Sequence, residues 1–221
     1  MSSTPESPPS QNKWSGFARK YQQTFINLFV FIAIGKWIAE YTLDLIKKGR
    51  LWDFVEISFI VHNIIMLVLI LARYKPREVD RNVFHQGVAL VAFFSGLAFQ
   101  DTPTENSKLI LASTIVTAFA TIIGTLILLN LGRAFGILIA VRKVETKGFY
   151  SIVRHPMYAS DIIWKLGMFL KKPSSVNTII MLIGTAAYVY RAILEERLLS
   201  RDPEYASYMQ RVKYRFIPGL F

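Results

Sequence analysis

Five stretches of this chain, at about 24–46, 54–72, 83–99, 109–129 and 175–196, are apolar over lengths close to those a helix needs to cross a bilayer. About 20 residues at 1.5 Å each span the hydrocarbon layer. A soluble domain of 221 residues cannot hide that many such runs, and a hydrophobic share of 52% points the same way. The pattern predicts an all-α integral membrane protein with about five to six membrane helices and a cytoplasmic C-terminal cofactor-binding region. The sixth apolar stretch, 159–170, is short and interrupted by Asp161 and Lys165. It is expected to form a hairpin or partly spanning helix, turned by Lys171–Lys172–Pro173–Ser174.

The chain divides into a disordered and interfacial tail (1–23), a four-helix membrane region (24–129) and a C-terminal region (130–221) that holds the chemically capable residues. Ser and Pro dominate the first twelve positions, and Trp14, Arg19, Lys20 and Tyr21 make an interfacial collar. The segment after Arg197 has the polar and aromatic composition of an amphipathic cap.

The net charge of +11 comes from residues lying mainly in short loops. Threading alternate loops to opposite sides puts seventeen Lys and Arg on one side and six on the other. That bias predicts a multi-pass protein with both termini in the cytoplasm, and it leaves no basic face for nucleic acid. Cysteine is absent, which excludes disulfides, thiolate catalysis and S-linked lipid anchors. His62, His85 and His155 are too far apart in sequence to suggest a metal site. Within the apolar runs, Lys36 and Glu40 are spaced to pair, and Thr117, Thr121 and Thr125 form a stripe suited to close helix packing.

The densest chemistry lies in Gly148-Phe149-Tyr150-Ser151-Ile152-Val153-Arg154-His155-Pro156-Met157-Tyr158. Pro156 favours the first turn of a helix, which puts His155 near the N-cap and Tyr158 on that turn. Free backbone N–H groups and the His155 side chain are thereby expected to converge on a carboxylate. A second cluster, Arg191-Ala192-Ile193-Leu194-Glu195-Glu196, falls at the same end of the last membrane helix. Ionisable groups at a membrane boundary are costly, so the two clusters are expected to wall one pocket.

Gly148-x-Tyr150-x-x-x-Arg154-His155-Pro156-x-Tyr158, with Arg191-x-x-x-Glu195-Glu196, Tyr205-x-x-Tyr208 and Pro218 downstream, resembles the isoprenylcysteine carboxyl methyltransferase family and its membrane phospholipid methyltransferase relatives. Leu131-Gly132-Arg133-Ala134-Phe135 fits the same pattern, so the likeness covers roughly residues 130–218. The resemblance implies a membrane methyltransferase that takes S-adenosylmethionine from the cytosol and a lipophilic or lipidated acceptor from the bilayer. It makes 130–221 a methyltransferase-like catalytic region. By the family's pattern Val144, Glu145, Tyr150, His155, Pro156, Met157, Tyr158 and Glu195 bind the cofactor, and Arg191 faces the acceptor. Arg142 stands where the prenylcysteine enzymes have a histidine, and Ala159–Ser160 replaces a Val-Gly or Leu-Gly pair. Both departures bear on the acceptor rather than on the class.

Methyl transfer from a sulfonium asks a protein mainly to align the partners and exclude water. A carboxylate acceptor needs no base and is oriented by Arg191. An amine or thiol must lose a proton, which makes Glu196 or a tyrosine the candidate base. Two other readings remain open at this point: an NADPH-dependent membrane reductase related to sterol reductases, and a non-enzymatic component in which Lys36, Glu56 and His62 line a path.

Overall fold

The computed structural model describes residues 13–50 and 52–220, with side chains described only at 25 and from 28 onward. The expected disordered stretch 1–12 lies outside the described residues, as do the side chains of the expected collar at 14–21. Seven α-helices and one minimal two-stranded ladder make up the described chain. They are α1 (Lys13–Lys47), α2 (Phe54–Ala72), α3 (Val83–Phe94), α4 (Ser107–Leu131), α5 (Pro156–Lys171), α6 (Ser175–Leu199) and α7 (Pro203–Arg211). The protein is all-α, and among the described residues three helical segments are long and apolar enough to cross a membrane: Phe54–Ala72, Ser107–Ala134 and Ser175–Leu199.

Side-chain caps begin most of these helices where the sequence offers an acceptor. Asp53, Asn82, Asn106, Ser174 and Asp202 each accept a backbone N–H from the first turn. Two expectations change. The first helix runs back through 13–23, which had been assigned to the tail. The expected third span, 83–99, is a twelve-residue α3 followed by a 3-10 turn at Ser95–Ala98. The chain tightens there at Ser95–Gly96, poor helix formers, and a Cβ on Gly96 would lie 3.0 Å from the Trp164 ring. As expected, 159–170 belongs to a short helix, and α5 and α6 form a hairpin about the 171–174 turn.

The loops gather at two ends. At one, β1 (Glu78–Val79) pairs antiparallel with β2 (Ala140–Val141), and Gln86 bonds both Asp80 and Ile139. At the other, the fully buried Asn177 bonds Gln100, Thr102 and Lys172, and Lys172 pairs with Asp101. That ammonium holds the Asp101 carboxyl below its ordinary range.

Between the ends, α5 packs closely along α4. A Cβ on Gly167 would sit 2.5 Å from Thr117 Cγ2 and 3.0 Å from the Thr117 backbone nitrogen, while one on Gly124 would meet Ser160 Oγ at 3.2 Å. Small residues at these crossings let the two backbones approach, as helix pairs in membranes require. Further along, Trp164 of α5 stacks on Phe59 of α2 at 5.4 Å. Phe59 also meets Trp37 and Tyr41 of α1 edge-on, so aromatic contacts join α1, α2 and α5. Tyr41 and Arg50 both bond the buried Glu56, and Lys36 pairs with Glu40 on an exposed face. Among the described residues neither Lys36 nor Glu56 lines the cavity that His62 lines.

Gly167→Val is expected to destabilise the bundle by about 1–3 kcal/mol through overpacking. Gly35→Val, where nothing lies within 4 Å of the added Cβ, leaves stability nearly unchanged. Thermal unfolding of the two variants in the same detergent checks the contrast.

Candidate functional site

The connector from α4 to α5 folds back over the end of the bundle. Gly148 has φ +62°, and an added Cβ would lie 2.4 Å from Asn130 Oδ1, the atom that accepts the Phe149 N–H. Only glycine meets both demands, the left-handed backbone and the close approach. The following 3-10 turn, Gly148–Ser151, delivers the buried Tyr150 inward, and α5 then starts at Pro156.

The carboxylate of Glu196 is the fixed point beneath this stretch. Arg154 Nε donates to Oε1 at 2.7 Å, His155 Nε2 lies 3.1 Å from the same oxygen, and Arg215 Nε donates to Oε2 at 2.9 Å. Arg154 Nη1 also donates to the Val212 and Lys213 carbonyls, each at 2.7 Å. The Arg154 and His155 backbone N–H groups bond the Tyr214 and Arg215 carbonyls, and the Tyr208 hydroxyl donates to the Tyr150 carbonyl at 2.6 Å. Burial pushes the Tyr208 phenol up to about 12 and raises that of Tyr150 as well, so both stay neutral and Tyr208 serves as a donor.

Among the described residues His155 Nε2 and the Arg154 and His155 N–H groups are paired within the protein, while the His155 ring still borders a recess. Glu196, the expected candidate base, is enclosed by Arg154, His155 and Arg215.

Two adjoining spaces flank α5's first turn. The outer recess, about 790 Å³, is lined by Val144, Glu145, Tyr150, His155, Met157, Tyr158 and Glu195 together with Arg142, Tyr205 and Tyr208. It thus gathers every expected cofactor residue except Pro156, which is buried at the helix start. The inner chamber, about 970 Å³, reaches toward the bundle centre and includes Arg191. Phe135, Gly136, Met157 and Tyr158 border both.

Tyr158 is the partition between them. Its ring stacks on His155 at 5.3 Å and carries the Arg191 guanidinium at 4.9 Å, while its hydroxyl donates to the Glu195 carboxylate at 2.7 Å. Arg191 Nε donates to Glu195 at 3.0 Å and its Nη2 to the Gly136 carbonyl at 2.9 Å. On the other face of Gly136, a Cβ would strike Arg142 Nη1 at 2.3 Å. The absent side chain is what lets the two arginines reach the same peptide from opposite spaces.

Arg142 is 6% exposed, yet its Nε and Nη2 have no hydrogen-bond partner among the described residues. Burial, reinforced by the Arg73 and Arg191 charges and opposed by Glu195, lowers its pKa to about 10, so it stays cationic at neutral pH. Buried donors of a charged group without a partner are expensive, and an anion in the recess would satisfy them. The sequence marked Arg142 only as a departure from a family pattern. Arg154 and Arg215 were not foreseen as a clamp on Glu196, nor Lys165, Asp161 and His62 as lining of one chamber. Their signal was their presence in otherwise apolar helices.

Residues 109–205, a little under half of the chain, match the phospholipid methyltransferase family model. No curated protein matches the chain. The matched segment contains α4, the connector, α5 and α6, hence most of both spaces.

Glu196→Ala leaves Arg154 and His155 buried without their counter-charge and is expected to cost about 3–5 kcal/mol. Arg215→Met costs less, because that side chain is 27% exposed. Unfolding midpoints, together with protease sensitivity of the 211–221 segment, check this order.

Proposed function

From the match of residues 109–205 to the phospholipid methyltransferase family model, we propose that this membrane protein is an S-adenosylmethionine-dependent methyltransferase acting on a lipophilic acceptor. The observation that carries the reading is the partnerless Arg142 guanidinium in a recess also lined by the Glu195 carboxylate and the Tyr158 ring. S-adenosylmethionine carries a carboxylate, an ammonium and a sulfonium, and these residues fit it. Arg142 holds the carboxylate, Glu195 attracts a cationic or hydroxyl portion, and the Tyr158 face favours a cation by its quadrupole. Bound there, the cofactor supplies an activated methyl group.

The inner chamber receives the acceptor, whose nucleophilic group meets the recess at Tyr158 and Arg191. Arg142, Glu195 and Tyr158 would hold the methyl donor on the recess side of that nucleophile. Arg191, already fixed by Glu195 and Gly136, orients the acceptor. Glu196 is tied up elsewhere, which favours an acceptor that is ionised before it binds, a carboxylate of the isoprenylcysteine kind, over an amine or thiol. Tyr158 and Met157 keep water out of the junction.

The loop charges favour a multi-pass arrangement with both termini and the recess on the cytoplasmic side. The cofactor then arrives from the cytosol while the acceptor arrives from the membrane.

Calorimetry on the purified protein tests the cofactor assignment. Wild type is expected to bind S-adenosylmethionine saturably, and Arg142→Met to weaken it by about tenfold or more, with Glu195→Gln also weakened. Binding of NADPH instead, or equal affinity in wild type and both variants, contradicts the reading.

A further inference from the structure

The inner chamber is not the plain hydrocarbon slot that a prenyl or acyl tail alone requires. Past Tyr158, one face of α5 presents Asp161 and Lys165, and Lys165 is 2% exposed. Both converge on Tyr188 of α6. The Tyr188 hydroxyl donates to Asp161 at 2.6 Å, and the Lys165 ammonium lies 4.5 Å from the ring centroid. Asp161 and Lys165 are four residues apart on one helix, yet among the described residues the ion pairs do not include one between them. Gly184 leaves room for Ser95 and for the lysine, since a Cβ there would lie 2.4 Å from Ser95 Oγ and 3.1 Å from Lys165 Cε.

In the same lining, Thr121 is 3% exposed and its hydroxyl has no hydrogen-bond partner among the described residues. Charged and hydroxyl groups held inside an apolar bundle are costly and call for a polar occupant. Whatever enters must carry hydrogen-bonding capacity at this depth. The depth is set by α5: Asp161 and Lys165 lie three and seven residues beyond Tyr158, about 4.5 and 10 Å along the helix, and the Tyr188 ring they share lies 5.0 Å from that of Tyr158.

We propose that the acceptor is a lipophile bearing a hydroxyl about 5–10 Å from its methylated group, read by Asp161 and Lys165. A hydroxyl suits the gap because it donates to the carboxylate and accepts from the ammonium at once. This deepens the methyltransferase reading and rests on the inner chamber being the acceptor's.

The test compares binding of tritiated stearate and 7-hydroxystearate to the full-length protein in lipid nanodiscs, with empty nanodiscs correcting for partition. Wild type is expected to bind the hydroxylated acid about tenfold or more tightly, since a hydrogen bond to a charged group is worth that factor. Lys165→Met and the nearly isosteric Asp161→Asn each reduce the preference several-fold. Equal affinity of wild type for the two acids overturns the inference, as does a preference that survives both substitutions. S-adenosylmethionine is titrated into the same samples. Its binding without a hydroxyl preference sinks this inference alone, whereas a hydroxyl preference without its binding sinks the methyltransferase reading and leaves a hydroxylipid site.

Discussion

A single buried carboxylate holds the functional end of this protein together. Glu196, on the last long helix, draws in Arg154 and His155 from the connector and Arg215 from the C-terminal segment. Three pieces of chain distant in sequence are thereby fastened at one point. The Arg154 side chain also donates to the Val212 and Lys213 carbonyls, and the Arg154 and His155 backbone N–H groups to those of Tyr214 and Arg215, so the segment after α7 closes over the start of α5. Buried ion pairs seldom stabilise a fold over apolar alternatives, but losing one member is severe. The value of this one is positional: it fixes where α5 begins and therefore where Tyr158 stands.

Tyr158 in turn separates a polar outer recess from a chamber inside the bundle. Charge lies on both sides of it in different states of satisfaction. Arg191 and Glu195 are mutually paired and anchored to Gly136, while Arg142, across the same glycine, retains two unused donors. An arrangement complete on one side and lacking an anion on the other is consistent with a site that takes a charged soluble ligand next to a membrane-borne one. The family match over α4 to α6 accounts for the common framework. Arg142 and the Asp161–Tyr188–Lys165 group are where this chain's own chemistry is concentrated.

The sequence made the helical class legible because apolar runs and capping residues are local signals. The spans at 54–72 and 175–196 and the 171–174 turn were placed within a few residues. The 83–99 run was read too long, because hydropathy does not register a 3-10 turn at Ser95–Gly96. The two motifs showed which residues would meet, and Val144, Glu145, Tyr150, Met157, Tyr158 and Glu195 do line one recess. What pattern alone could not show was partnership at long range. Glu196 and His155 lie 41 residues apart, and only the fold reveals that each spends the other. The threonine stripe read as packing divides its work likewise: Thr117 packs against Gly167, Thr125 bonds His62 at 2.9 Å, and Thr121 faces the chamber with its hydroxyl unused.

The central claim is that a methyl group passes from the outer recess to a lipophile in the inner chamber. The most direct measurement supplies methyl-tritiated S-adenosylmethionine to the purified protein in native lipid extract and follows label into the organic phase. The account predicts organic-soluble label that mild base releases as volatile methanol, the behaviour of a methyl ester, and its loss in Arg142→Met. Folded protein that transfers no label under these conditions, or that oxidises NADPH instead, would contradict it.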